Sequence, residues 1–174
     1  MNTKKRILVV APHPDDESLG AGGLIAKYSA KGDEVFVLTV SGHLPPLYSR
    51  EEYDKTISEA HLAFSILGVS KSESLEIPAT MIGNQPLHDF NSKIIKIVND
   101  FKPHMVLCPY PDRHVDHRLV FDSVMVATRP VEKGRDIEIV ATYETLSETH
   151  WNAPHIEPNF TPNWVINISD YIDI

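Results

Sequence analysis

The sequence has little of what several large classes of protein require. Its single cysteine, Cys108, excludes an internal disulfide framework, and no apolar run is long enough to span a bilayer. The apolar stretch behind the basic start of the chain stops at Val10, which is too short for the core of a signal peptide. We therefore expect a cytoplasmic protein without a membrane span.

Positive charge is also scarce. The chain has 16 lysine and arginine residues against 24 aspartate and glutamate residues, and its formal net charge is −8. Non-specific binding of nucleic acid needs a basic face, so we expect no nucleic-acid partner. A hydrophobic content of 42% is ordinary for a globular protein. A length of 174 residues suffices for one well-packed domain and is short for two.

Strand-like and helix-like stretches alternate along the chain, which indicates βαβ units and a parallel sheet. We predict an α/β fold, a Rossmann-like three-layer sandwich with a mostly parallel sheet. The predicted strands cover residues 7–10, 35–40, 75–77, 105–108, 137–143 and 164–168. The predicted helices cover residues 19–30, 51–67, 87–101 and 117–127. Three long irregular stretches remain, and loops of that length in a compact domain are usually functional or mobile. They cover residues 41–50, 78–86 and 145–163.

The most informative segment follows the first predicted strand. Residues 11–17 read Ala-Pro-His-Pro-Asp-Asp-Glu and bring His13, Asp15, Asp16 and Glu17 to the carboxyl end of that strand. Ligands of open α/β sheets bind at this edge. Three carboxylates on one turn repel each other and are costly to desolvate unless a cation is present, so the segment predicts a divalent metal site. An acidic helix start is the alternative. Glu17 is expected either to orient a metal ligand from behind or to cap the helix, and capping is the favoured interpretation.

A second cluster follows another predicted strand. Residues 105–117 read Met-Val-Leu-Cys-Pro-Tyr-Pro-Asp-Arg-His-Val-Asp-His and end on His114, Asp116 and His117. Hydrolytic zinc sites use three nitrogen or oxygen ligands and keep one position open for water, and the two clusters contain enough ligands of that kind. The alternative is the start of a surface helix, on which His114 and His117 share one face.

Together the two clusters resemble the PIG-L/LmbE-type zinc-dependent N-deacetylases, and the resemblance covers essentially the whole chain. Segments 113–118 (Arg-His-Val-Asp-His-Arg) and 143–149 (Tyr-Glu-Thr-Leu-Ser-Glu-Thr) are similar to the bacterial branch associated with glycan and lipopolysaccharide sugars. The resemblance implies that His13, Asp16 and His117 bind one zinc ion per chain.

The resemblance also implies catalytic roles. Asp15 matches the general base that activates the attacking water. His114 matches the residue that stabilises the oxyanion or protonates the leaving amine, and Asp116 matches its carboxylate partner. A charged imidazole at position 114, paired with that carboxylate, is therefore expected.

Three features depart from the family's pattern. Pro12 precedes His13, a change that we expect to be tolerated. Thr56 stands where many members have an arginine, so the substrate contacts of that arginine are not carried over. Members usually continue beyond the stretch that ends here at Ile174, and we expect residues 1–174 to be a single deacetylase-like domain that lacks a C-terminal segment.

The implied reaction is hydrolysis of the N-acetyl group of an amino sugar, free or linked to a nucleotide or lipid, which releases acetate and an amine. A small-molecule amino sugar is the expected partner, and a homo-oligomer is left open because related proteins often assemble. One alternative is a metal-assisted phosphoesterase, although phosphate transfer often uses two metals. The other is a catalytically silent sugar-binding module, against which the retention of Asp15 argues.

Substrate contacts are assigned to residues near the second cluster and in the third irregular stretch. Arg113 lies beside the predicted metal ligands in sequence and is a candidate contact for an anionic substrate group. His150 and Trp151 belong either to a rim that contacts the sugar or to an ordinary packed loop.

Overall fold

The computed structural model describes residues 4–153 and 155–173. Strands and helices alternate along the chain. The strands are β1 (Arg6–Ala11), β2 (Glu34–Gly42), β3 (Lys71–Pro78), β4 (Met105–Pro109) and β5 (Ile139–Tyr143). The helices are α1 (Asp16–Ala30), α2 (Arg50–Leu67), α3 (Leu87–Phe101) and α4 (Val115–Ala127). Short 3-10 turns occupy Ile82–Asn84, Glu132–Asp136, Thr149–Trp151 and Ser169–Tyr171.

The five strands form one sheet in the order β3-β2-β1-β4-β5, and all pairings between them are parallel. Because side chains alternate along β1, Leu8 and Val10 pack against α3 and α4 while Ile7 and Val9 pack against α1 and α2. All four side chains are fully buried, as expected for a parallel strand covered on both faces. The predicted three-layer α/β sandwich is confirmed.

Two helices begin earlier than the sequence pattern predicts, and both begin inside the polar clusters. Helix α1 begins at Asp16, and helix α4 begins at Val115. The first turn of each helix buries polar residues, namely Asp16 in α1 and Asp116 and His117 in α4. The apolar pattern that predicts a helix therefore begins only after the first turn. These first turns place the clusters next to each other above neighbouring strands β1 and β4.

The predicted last strand, residues 164–168, is wrong. This segment has no regular secondary structure and pairs with no strand among the described residues. Ile166 packs with the core on the α1 side of the sheet, and Ile168 lies so close to Gly23 that a Cβ at Gly23 would be 2.5 Å from its Cδ1 atom. The alternating apolar residues therefore cover a glycine-rich helix face instead of joining the sheet. Among the described helices, none combines the length and the apolar character that a membrane crossing requires.

Candidate metal centre

A cavity of about 300 Å³ opens at the carboxyl edge of the sheet, above β1 and β4. All three irregular stretches contribute to its lining, in addition to the two polar clusters. The charged and aromatic side chains that line it are His13, Asp15, Asp16, His43, Tyr48, His114, His117 and Glu148. The site thus combines a strand-end location with loops that enclose it, as is typical of ligand sites in α/β folds.

The deepest part of the cavity brings three predicted ligands together. Oδ2 of Asp16 lies 3.3 Å from Nδ1 of His13 and 3.4 Å from Nε2 of His117. One carboxylate oxygen and one nitrogen from each imidazole thus converge on a single point. The sequence separates His13 from His117 by more than 100 residues, and the parallel pairing of β1 with β4 brings them together.

The remaining nitrogen of each imidazole is bound by a buried carboxylate. Nε2 of His13 lies 3.0 Å from Oδ2 of Asp116, and Nδ1 of His117 lies 2.8 Å from Oδ2 of Asp112. Carboxylates that bind the far nitrogen of a histidine orient its ring and raise its basicity toward a metal. We call these five residues, His13, Asp16, Asp112, Asp116 and His117, the cavity floor.

The expected pairing of Asp116 with the side chain of His114 is wrong. Oδ2 of Asp116 binds His13 and also accepts a hydrogen bond from the backbone N–H of Thr80 at 2.7 Å. Between Asp116 and His114, the hydrogen bond runs from the backbone N–H of Asp116 to Nδ1 of His114, at 3.2 Å. The reason is local: His114 precedes the first turn of α4 and caps it with its ring, so the Asp116 side chain points to the other cluster.

The ring of His114 nevertheless lies beside the floor. Its centroid is 4.7 Å from that of His13 and 4.9 Å from that of His117. Nitrogen atoms of the three rings all lie within 4.8 Å of one another, a spacing at which they could share a metal ion. Because Nδ1 of His114 accepts a hydrogen bond from the helix, its proton is expected on Nε2 in the neutral ring.

The protonation of the floor follows from its contacts. Burial lowers the pKa of His13, but the hydrogen bonds to Asp116 and Asp16 outweigh it and raise the pKa to about 9. Burial likewise lowers the pKa of His117, and Asp112 with Asp16 raises it to about 9. Burial raises the pKa of the Asp16 carboxyl, whereas His117 and His13 hold it well below its usual range. In the absence of a metal, the floor is therefore a set of imidazolium–carboxylate pairs.

His114 behaves differently. Burial lowers its pKa, and the neighbouring His13 and His117 lower it further. In the metal-free protein the neutral imidazole is therefore favoured over the expected charged one, because the effect of Asp116, which favours the charged form, is outweighed.

The backbone of Asp15 is strained. Its φ is 143° and its ψ is −30°, in a region that residues other than glycine rarely adopt. Strained residues cluster at functional sites, where surrounding contacts hold them in place. One such contact comes from the buried Glu17, whose carboxylate accepts hydrogen bonds from the backbone N–H of Asp15 at 3.3 Å and from the hydroxyl of Ser18 at 2.7 Å. Burial and the charge of Asp16 raise the pKa of Asp15.

Three residues of the site were missed by sequence reasoning. Asp112 also accepts hydrogen bonds from the backbone N–H of His114 at 2.8 Å and from the hydroxyl of Thr149 at 3.3 Å. Its position two residues before His114 was the available signal. Thr80 belongs to a long irregular stretch and carries no pattern that could have marked it. Thr149 ends segment 143–149, which carries part of the family resemblance, and that was its available signal.

The three predicted substrate contacts form an outer rim. Among the described residues that line the cavity, Arg113, His150 and Trp151 are absent. Arg113 lies over the ring of Trp151, 5.7 Å from its centroid, and His150 binds the carboxylate of Glu144 at 3.0 Å. A contact with a bound substrate stays a prediction for these residues.

The PIG-L family model, described as GlcNAc-PI de-N-acetylase, matches residues 8–128. This range contains both polar clusters and all five residues of the cavity floor. The match therefore covers well over half of the chain.

Curated relatives are deacetylases by name. The chain is 26% identical over 186 residues to the diacetylchitobiose deacetylase of Thermococcus kodakarensis, a match that covers 99% of this chain and 67% of the relative. It is 27% identical over 184 residues to the 1D-myo-inositol 2-acetamido-2-deoxy-alpha-D-glucopyranoside deacetylase of Rhodococcus opacus, which covers 84% of this chain and 63% of the relative. The chain thus spans about two thirds of the length of these relatives.

A solved structure has the same fold. The protein TT1542 of Thermus thermophilus superposes with a TM-score of 0.74 at 25% identity, and the match covers 97% of this chain and 74% of that one. The sheet and the four helices described above therefore belong to a fold already observed in a crystal.

Proposed function

Because the chain belongs to the PIG-L family, we propose that it is a zinc-dependent deacetylase that removes the N-acetyl group of an amino sugar. Water is added across the amide, so that acetate leaves and a free amine remains on the sugar. Relatives named for diacetylchitobiose and for an acetamido sugar on inositol support this substrate class. The association with lipopolysaccharide sugars stays a prediction from the sequence.

One observation carries the proposal. Nδ1 of His13 and Nε2 of His117 converge on the carboxylate of Asp16, while Asp116 and Asp112 bind the other nitrogen of each ring. Two nitrogens and one oxygen are the donor set of hydrolytic zinc sites, and imidazoles backed by carboxylates are their usual support. The residues present therefore fit a zinc ion, which His13, Asp16 and His117 would hold. When bound, the ion would supply Lewis acidity to polarise the acetamide carbonyl and to acidify water.

Asp15 is the proposed general base. Its carboxylate lines the cavity next to Asp16, and burial together with that neighbour raises its pKa. A base whose pKa lies closer to neutrality accepts a proton from water more readily. Asp15 would therefore take the proton as water attacks the carbonyl carbon and deliver it to the leaving nitrogen as the C–N bond breaks. The strained backbone at this position is consistent with a side chain held in place for chemistry.

His114 is the proposed stabiliser of the tetrahedral oxyanion. Its Nδ1 accepts the hydrogen bond that caps α4, so Nε2 carries the proton and can donate to the developing negative charge. Burial lowers the pKa of His114, which favours this neutral form. A donor held in place by a helix requires no reorganisation during the reaction.

Metal content and acetate release test the proposal. The protein is stripped with a chelator, reconstituted with zinc, and assayed on N,N′-diacetylchitobiose with acetate as the readout. We expect about one zinc per chain, acetate release only after reconstitution, and loss of both in His117→Ala. The matched control is His61→Ala, an exposed histidine of α2 that is remote from the cavity floor.

Two other outcomes would replace the proposal. If acetylated sugars are inert and phosphate esters are hydrolysed, the protein is a phosphoesterase. If neither is cleaved while an amino sugar still binds, the chain is a sugar-binding module.

A further inference from the structure

The charges around the cavity point to a preference among amino sugars, an inference that rests on the proposed deacetylation. We propose that the site selects N-acetylamino sugars whose other groups are neutral or cationic. Sugars that carry a sulfate, phosphate or carboxylate on the acetylated residue would be disfavoured.

Carboxylates dominate the cavity. Asp15, Asp16 and Glu148 line it, while Asp112 and Asp116 lie directly behind the histidines, at 2.8 and 3.0 Å from their ring nitrogens. A divalent ion would neutralise two of these five carboxylates, and three would remain. The resulting field repels an anionic substrate group and attracts a cationic one.

Arginine and lysine are absent from the described residues that line the cavity. Helix α2 contributes Thr56 to the lining, and its hydroxyl donates to the backbone oxygen of Glu52 at 3.0 Å. Arg113 approaches from outside, where its Nε lies 3.9 Å from Glu148 and its guanidinium lies over Trp151. Its charge is therefore directed to a carboxylate and an aromatic ring of the protein itself.

The remaining groups of the lining suit a neutral sugar. The rings of His43 and Tyr48 have centroids 4.2 Å apart and planes tilted by 33°, and both side chains are exposed at the cavity. Aromatic faces pack against the apolar face of a sugar ring whatever its charge. Ser147 can donate to or accept from a sugar hydroxyl, and the carboxylate of Glu148 accepts from a hydroxyl or an ammonium group.

Three zinc-loaded assays test the preference by acetate release. N-acetylglucosamine 6-O-methyl ether and N-acetylglucosamine 6-sulfate differ in charge at one position, and glucosaminyl-N-acetylglucosamine adds a cationic neighbour. We expect kcat/KM for the methyl ether to exceed that for the sulfate about tenfold at low ionic strength. Added salt should lower this ratio of kcat/KM values toward one, because salt screens the repulsion of the sulfate. The cationic disaccharide is expected to react at least as well as the methyl ether.

Glu148→Gln sharpens the test. This variant removes a carboxylate from the lining and releases Arg113 from its ion pair. The kcat/KM for the sulfate should therefore rise, and the ratio of kcat/KM for the methyl ether to that for the sulfate should fall severalfold. Glu59→Gln, which removes an exposed charge from α2, is the matched control and should leave the ratio unchanged.

Three results would overturn the preference. The first is equal turnover of sulfate and methyl ether, and the second is a ratio that responds to neither salt nor Glu148→Gln. The third is faster turnover of the sulfate that is lost in Arg113→Gln, which would mean that Arg113 moves to meet an anion. If the neutral and cationic sugars are both inert as well, the proposed deacetylation itself fails, and the preference fails with it.

Discussion

The cavity floor is mostly buried, whereas the three residues of the outer rim are exposed. The floor residues come from strand ends and from the first turns of helices, and four of them, Asp16, Asp112, Asp116 and His117, are at most 4% exposed. In the outer rim, Trp151 is 63% exposed, and the contacts described for Arg113 and His150 are to neighbouring protein side chains. Catalytic steps that need side chains in fixed positions are therefore expected at the floor. The exposed rim is expected to contribute less to them.

The largest effect is expected at Asp15, which lines the cavity beside the floor residue Asp16. Asp15→Asn keeps the size of the side chain and tolerates the unusual backbone conformation, but it cannot take a proton. We expect kcat for acetate release to fall on the order of 10²- to 10⁴-fold, the usual loss for a general base, with zinc content unchanged. A loss smaller than about tenfold would assign the base elsewhere.

Asp112 tests whether the floor depends on carboxylates behind the ligands. Asp112→Asn weakens the hydrogen bond to Nδ1 of His117, and we expect zinc affinity to fall about 10- to 100-fold in competition with a chelating dye. Asp122→Asn, at an exposed position of α4, is the control. Equal zinc affinity in both variants would show that Asp112 has no part in binding the metal.

The stability of the metal-free protein should depend on pH through His13 and His117. Both have folded-state pKa values raised from 6.5 to about 9. Folding then favours the protonated rings, so their contribution is complete below about pH 6.5 and is lost as the pH rises through about 9. Tm measured in chelator should fall across this window.

A matched variant isolates the source of that decrease. In His117→Asn the fall in Tm between pH 6.5 and 9 should be shallower than in the parent protein, because one of the two titrating rings is gone. A parent Tm that stays constant or rises across the window would contradict the imidazolium–carboxylate pairs.

The smallest effect is expected in the outer rim. Trp151 was a predicted substrate contact, but it is exposed and is absent from the described residues that line the cavity, so Trp151→Ala should change kcat/KM for diacetylchitobiose by less than about threefold. Michaelis–Menten assays of the variant and the parent are sufficient. A loss of tenfold or more would make Trp151 part of the substrate site and end the distinction between floor and rim.

Sequence reasoning succeeded where a polar cluster directly follows a recognisable strand. The strand that precedes His13 and the strand that precedes His114 were recognisable from their apolar runs, and the rule that parallel strands share a ligand-binding edge then places both clusters together. It failed for the segment at 164–168, because alternating apolar residues suit a helix surface as well as a sheet. It also failed for Asp116, because spacing alone does not say which histidine a carboxylate reaches.

The amino-acid sequence is sufficient to predict the α/β fold, the edge at which the site lies and the residue types that meet there. Tertiary packing sets three further features: the pairing of Asp116 with His13, the hydrogen bond of Asp112 to His117 and the position of Arg113 outside the cavity. These two groups of features differ in their range along the chain. Hydrophobic periodicity and strand-end chemistry are local properties of the chain, whereas a hydrogen bond between side chains more than 100 residues apart depends on the register of β1 against β4 and on the first turns of α1 and α4.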